Sequence, residues 1–214
     1  SRISLSNNIG AASNTVFGYQ AANNFSSNNA SNTVIGHGAM DAADGTEEGN
    51  VAIGINAMGG VDEGGSTSAD YNVAIGVIAL NGGVVGSSEL SKNVAVGAYA
   101  VSSTSTSPQI GTVGVGYQAL AALTSGAGNV AVGYQAADGI LTGAQNTAIG
   151  YQALTTANGS ESKNTAVGNL ALTSFDADGD NNNTAIGYGA GASLSTGEDN
   201  TIVGSGALIG LQTG

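Results

Sequence analysis

Oxygen-bearing side chains alternate in one stretch of the chain: Asp176, Asp178 and Asp180, with Gly179 before the last of them and Asn181, Asn182 and Asn183 after it. Alternating oxygen ligands in a glycine-bearing loop resemble a calcium loop. In the helix–loop–helix calcium site, glycine stands sixth and a glutamate twelfth. Here glycine stands fourth, and Gly187 takes the twelfth place. Two readings remain open, a Ca2+ site made by Asp176, Asp178 and Asp180 or a hydrated turn, and no other cofactor is implied. The adjacent acids Glu47–Glu48, Asp62–Glu63 and Glu198–Asp199 read as solubilising charge in loops.

Catalysis finds little to work with. Glycoside hydrolysis needs two carboxylates at a set separation, one in surroundings that raise its pKa. The acids here are scattered over segments that read as exposed. Neither a Gly-x-Ser-x-Gly elbow nor a His-Glu-x-x-His helix nor a phosphate loop occurs. The single histidine, His37, fills a slot that is tyrosine in other copies of a repeat (Tyr19, Tyr134, Tyr151). The expectation is therefore a wall residue in a protein that is not an enzyme. Those tyrosines could stack on sugars as an aromatic ladder, or pack between layers of the structure.

The repeat positions all of these residues. A nine-residue phrase, Asn–Thr/Val–Ala–Ile/Val–Gly–x–x–Ala–Leu, begins at Asn14, Asn32, Asn50, Asn72, Asn93, Thr112, Asn129, Asn146, Asn164, Asn183 and Asn200. Its glycine is constant: Gly18, Gly36, Gly54, Gly76, Gly97, Gly116, Gly133, Gly150, Gly168, Gly187 and Gly204. These glycines fall 17 to 22 residues apart, and the intervals between phrases absorb the variation, from eight residues (121–128) to thirteen (59–71). Constant segments joined by variable ones describe a solenoid. Every Asp, Glu, Lys and Arg lies in the intervals or the termini and none in a phrase, which marks the phrases as the buried part and the intervals as the wet part.

Within a phrase, large or β-branched residues at the second and fourth places flank a small one (Val51, Ala52, Ile53; Thr147, Ala148, Ile149). Period-two alternation reads as a short strand, with the large pair on one face and the small residue on the other. Glycine ends it at a turn that needs unusual backbone angles. The leading Asn is either a turn residue or one rung of a stacked amide ladder. Eleven such strands stacked about 4.8 Å apart make a rod roughly 50 Å long. So thin a coil encloses little core, and the Ala-rich face is expected to meet identical chains.

Composition agrees. The 214 residues include 36 glycines, one proline, no cysteine and only 8% charged residues, yet 41% are apolar, which sets the chain apart from collagen and from disorder. A net charge of −12, with three basic residues, excludes a phosphate-binding surface for nucleic acid or anionic lipid. The sequence contains no run of about 18 apolar residues that could insert in a membrane.

Asn-Thr-Ala-Ile-Gly-Tyr-Gln-Ala-Leu (Asn146 to Leu154) resembles the head repeats of trimeric autotransporter adhesins and, more closely, similar repeats in bacteriophage tail fibres. The resemblance spans about Asn14 to Leu208. It implies an all-β fold, a left-handed parallel β-roll (β-solenoid) of about eleven coils, with three chains around one axis and a role in attachment. The coils here are longer than those of the adhesins, and no heptad stalk or membrane anchor is seen, which favours a phage fibre or an excised segment. The expected organisation is a lead-in or degenerate coil over 1–13, the repeat domain over 14–208 and a tail over 209–214. The expected role is a structural and adhesive subunit of an extracellular homotrimeric fibre on a virion tail or cell surface. Its partners are other fibre components and a host-surface glycan or protein. A bacterial adhesin head is the alternative, followed by a monomeric ice-binding solenoid. The longest intervals, 59–71 and 81–92, flank one phrase, so Tyr71 and Glu89 are the candidate receptor contacts.

Overall fold

In the computed structural model, residues 13–61, 69–82, 89–104 and 109–210 are described. The eleven phrases form eleven three-residue strands: Thr15–Phe17, Thr33–Ile35, Val51–Ile53, Val73–Ile75, Val94–Val96, Val113–Val115, Val130–Val132, Thr147–Ile149, Thr165–Val167, Thr184–Ile186 and Thr201–Val203. They make one parallel sheet in sequence order, each strand in register with the next so that like positions stack (Thr147↔Thr165, Ala148↔Ala166, Ile149↔Val167). The fold is an all-β parallel β-solenoid of about ten coils, without an α-helix among the described residues.

Stacking runs through the whole phrase. The second residue's N–H reaches the next coil's Asn carbonyl (Thr147 N to Asn164 O, 2.8 Å), and the ninth residue's N–H reaches the next coil's alanine carbonyl (Leu154 N to Ala171 O, 2.9 Å). At the fifth position glycine is obligatory. Gly150 has φ +137, and a Cβ there would stand 2.4 Å from the carbonyl oxygen of Gly168 in the next coil. The chain then bends through left-handed residues at the seventh and ninth positions (Gln152, φ 50; Leu154, φ 55), and one such site holds a β-branched valine, Val101 (φ 48). Left-handed backbone costs about 1 kcal/mol or more per ordinary residue, so stacking and burial hold these corners closed.

The faces are the reverse of the expected ones. The small third residue and the eighth-position alanine point into the coil and are fully buried (Ala52, Ala57, Ala148, Ala153). The large second and fourth residues point outward. Coil thickness is the reason. At Gly114, a third position, a Cβ would lie 3.2 Å from the carbonyl oxygen of Ala119, the eighth position of its own coil. The two sides of the phrase lie close together, so eight of the eleven third positions are alanine or glycine, with Val16, Val34 and Ile202 filling the same inward slot in the outermost coils. The Ala-rich face is the interior and does not meet other chains.

Nor are the intervals simply wet. Leu90, Leu123, Ile140, Phe175 and Leu194 lie in them and are fully buried, as are the ninth-position residues Met40, Met58, Leu80, Leu120, Leu154 and Leu172. One edge of the coil interior is filled by alanine from the strand, and the other by these larger side chains. Pairing on the interval side is fragmentary: Leu90–Ser91 with Gln109–Ile110, and single bridges Ala30↔Glu48 and Ser162↔Asp180.

The leading asparagines form a ladder. The Asn146 Oδ1 accepts from both the backbone N–H (3.0 Å) and the Nδ2 (3.3 Å) of Asn164, while the Asn146 Nδ2 donates to Asn129 Oδ1 (3.1 Å) and to the Glu161 carbonyl (2.7 Å). One buried amide thus binds the coil before it, the coil after it and the returning interval. The ladder runs from Asn14 to Asn93 and from Asn129 to Asn200. Thr112 interrupts it: its N–H still donates to Asn93 Oδ1 (2.9 Å), but its shorter side chain carries no amide upward.

Candidate functional site

The outward wall is a continuous surface that could take part in recognition. Its fourth-position column contains Phe17, Ile35, Ile75, Val132, Ile149, Ile186 and Val203, all exposed, with half-exposed valines and isoleucines between them. Beside it runs the Thr/Val column of second positions. Neither column carries a charge. In-register side chains on a flat sheet shield one another along the column, so exposures near 40% (Ile149 39%, Ile186 42%) mean an open face.

Next to these columns stands an aromatic ladder. Tyr117, Tyr134 and Tyr151 stack at centroid distances of 5.3 Å with interplanar angles of 17° and 9°. Tyr99 meets Tyr117 edge-on at 6.1 Å, and Tyr19 stacks on His37 at 5.4 Å. His37 is therefore a wall residue, as expected. The adjoining glutamines form a second ladder, Gln152 Nε2 to Gln135 Oε1 and Gln135 Nε2 to Gln118 Oε1, both 2.9 Å. Because the stacked rings cover each other's faces, the row offers edges and hydroxyls outward, and only its ends offer a ring face. Tyr188 stands apart from this row, since Asn169 occupies the slot below it.

Tyr71 and Glu89 lie on neighbouring coils, as the Lys92 N–H bond to the Asp70 carbonyl (3.0 Å) requires. Tyr71 is exposed, and its ring covers Gly49, where a Cβ would come within 2.6 Å of the ring. Glu89 pairs with Ser91 and with Lys92 (3.3 Å), and these hydrogen bonds, Ser91's first, hold its carboxyl below the usual range. Residues 62–68 and 83–88 of the two long intervals, with the Asp62–Glu63 pair, lie outside the described residues.

Asp176, Asp178 and Asp180 are exposed and turn toward the preceding coil rather than toward one another. Asp176 accepts from Asn158 Nδ2 (3.3 Å), Asp178 accepts from the Ser160 N–H and Oγ (2.9 and 3.1 Å), and Asp180 pairs with Lys163. Among the described residues, no group of three or more His, Cys, Asp or Glu side chains could hold a metal ion.

Two acids depart from the expected exposure. Glu47 and Glu161 are fully buried in the coil. Glu47 therefore does not solubilise a loop; its Oε2 accepts from Asn29 Nδ2 and the Gly45 N–H (3.2 Å). Glu161 Oε2 accepts from the Gly159 N–H (3.0 Å), its Oε1 lacks a hydrogen-bond partner among the described residues, and burial pushes its carboxyl above the usual range. The sequence did hold a signal. Gly45-Thr46-Glu47 and Gly159-Ser160-Glu161 are the same tripeptide pattern, and each glutamate stands three residues before a phrase asparagine. That position points inward in other coils too, as Leu90 and Gln109 do.

No protein-family model matches the chain, and no curated protein or solved structure matches it either.

Proposed function

We propose that this chain is a structural and adhesive subunit of an extracellular fibre, with three copies packed around a common axis through their outward walls. The proposed setting is a phage tail fibre, with a bacterial surface adhesin head as the alternative, and the proposed work is assembly and attachment rather than catalysis. The observation that carries this reading is the uncharged apolar wall on a chain of net charge −12. Eleven strands at about 4.8 Å, with about 15 Å of phrase across, give roughly 750 Å². That exceeds the ~300–600 Å² of the largest apolar patch on a typical monomer and approaches the ~800 Å² each partner contributes to a stable interface. Identical chains repel through their acidic intervals and can meet only where charge is missing. A left-handed winding and a trimeric rather than dimeric closure rest on the repeat resemblance. Tyr71 and Glu89 remain the proposed receptor contacts, because they lie on neighbouring coils in the two long intervals.

Light scattering after size exclusion tests the reading, since one chain weighs 20.5 kDa. A mass near three chains is expected, falling to one chain when Ile149 and Val132 are both replaced by lysine. A folded monomer of the unaltered chain would overturn it. It would also favour a second reading, ice binding, which the outward Thr/Val column supports: Thr15, Thr33, Thr147, Thr165, Thr184 and Thr201 stand on the open face. Thermal hysteresis of that monomer would decide the matter.

A further inference from the structure

The chain contains two Asn–Gly steps, Asn81–Gly82 and Asn158–Gly159. Such a step is chemically labile, because without a Cβ on the following residue the backbone nitrogen can approach the asparagine side-chain carbonyl. Reaction needs three things: an asparagine free to turn, a nitrogen held in place, and a base for its proton.

At Asn158 all three are present. Asn158 is exposed, and its Nδ2 reaches Asp176 through a long 3.3 Å bond. The Gly159 carbonyl accepts from the Leu141 and Thr142 N–H groups (3.1 and 3.0 Å), and Ser160 is tied to Asp178 through its N–H and Oγ. The Gly159 nitrogen is thereby fixed, its N–H donating to Glu161 Oε2 (N to O 3.0 Å). Glu161 is buried, and its other oxygen is committed to no hydrogen bond among the described residues. Asn81 differs in the freedom of its side chain. It is half-buried, its Oδ1 accepts from the Gly60 N–H at 2.7 Å, and Gly82 is wedged so tightly that a Cβ would fall 2.4 Å from the Thr104 carbonyl oxygen.

We propose that Asn158 is a self-modification site, at which the Gly159 nitrogen attacks the Asn158 side-chain carbonyl carbon with Glu161 as the base. The new N–Cγ bond forms as the Gly159 proton passes to the Glu161 carboxylate. Glu161 returns that proton to Nδ2, the Cγ–Nδ2 bond breaks and ammonia leaves. Water then opens the five-membered imide at either carbonyl, which yields aspartate or isoaspartate at position 158. The product faces Asp176 with a negative charge where Asn158 presented a donor, and the isoaspartyl form lengthens the backbone of that coil. One coil thus becomes a weak point that develops with age.

The experiment is peptide mapping by mass spectrometry of the full chain during incubation in mildly alkaline buffer. Deamidation is expected at Asn158 well ahead of Asn81. Glu161→Gln is expected to slow it roughly tenfold to a hundredfold, the scale of a lost general base, while the rate at Asn81 stays unchanged. Persistence of the Asn158 amide, equal rates at the two sites, or an unchanged or faster rate at Asn158 in Glu161→Gln would each overturn the proposal. Parallel acceleration at both sites would mean that the substitution merely loosened the fold, and this outcome also counts against it.

Discussion

Along the phrase side eleven strands pair without a gap, whereas along the interval side, among the described residues, pairing consists of one two-residue ladder and two single bridges. Both sides belong to the same coils, so the difference reflects the work each does. The phrase side sets register, through backbone stacking, the asparagine ladder and a glycine corner that admits no Cβ. The interval side completes the core with large apolar side chains, carries the charge and changes length freely. A solenoid of this kind tolerates insertion on one side because the other side allows none.

Substitutions on the two sides sharpen that contrast, and the largest effect is expected at the glycine corner. Gly150→Val places a side chain into the Gly168 carbonyl at positive φ, and should cost more than about 4 kcal/mol and leave the chain largely insoluble. Gly111→Ala, on the interval side at φ +67 with no atom within 4 Å of the added Cβ, should cost only about 1 kcal/mol in urea denaturation. Equal losses at the two sites would erase the distinction between the walls. Phe175→Ala should cost about 3–5 kcal/mol by the same measurement, because a buried aromatic leaves a cavity. A loss below about 1 kcal/mol would return the intervals to the status of loops.

Asn146→Ala should cost about 2–3 kcal/mol, since it orphans the Asn164 N–H and the Glu161 carbonyl together. Thr112→Asn works the other way. It joins the two halves of the ladder and should stabilise the chain by about 1 kcal/mol, read as a raised denaturation midpoint.

Glu161 gives the pH dependence. Burial raises its folded-state pKa above the ordinary 4.5, so its contribution is most favourable below pH 4.5 and declines as pH rises through the raised value. Glu161→Gln should therefore gain stability relative to the unaltered chain as pH rises from 4.5 to 8. A constant difference across that range would show that Glu161 ionises normally.

Most of the scaffold could be read from spacing alone. The copies of one phrase, their constant glycine and the absence of charge within them led directly to stacked parallel strands and to the tyrosine column. The direction of the strand faces could not be read in this way. Alternation shows that Val51 and Ile53 oppose Ala52, but it does not say which side is inside. The candidate sites divide similarly. Tyr71 and Glu89 lie on neighbouring coils, while Asp176, Asp178 and Asp180 face the preceding coil because each finds a donor there.

What the sequence determined by itself was the repeat, the strand positions and the corner glycines, because these depend on local backbone geometry repeated in every coil. What only the tertiary structure decided was which face is the interior, whether asparagines ladder or merely turn, and that two acids, Glu47 and Glu161, are buried among interval side chains. Those outcomes depend on how close the strand comes to the rest of its own coil. Through the middle coils the gap there is filled by alanine, from Ala52 to Ala185, and no residue count records it.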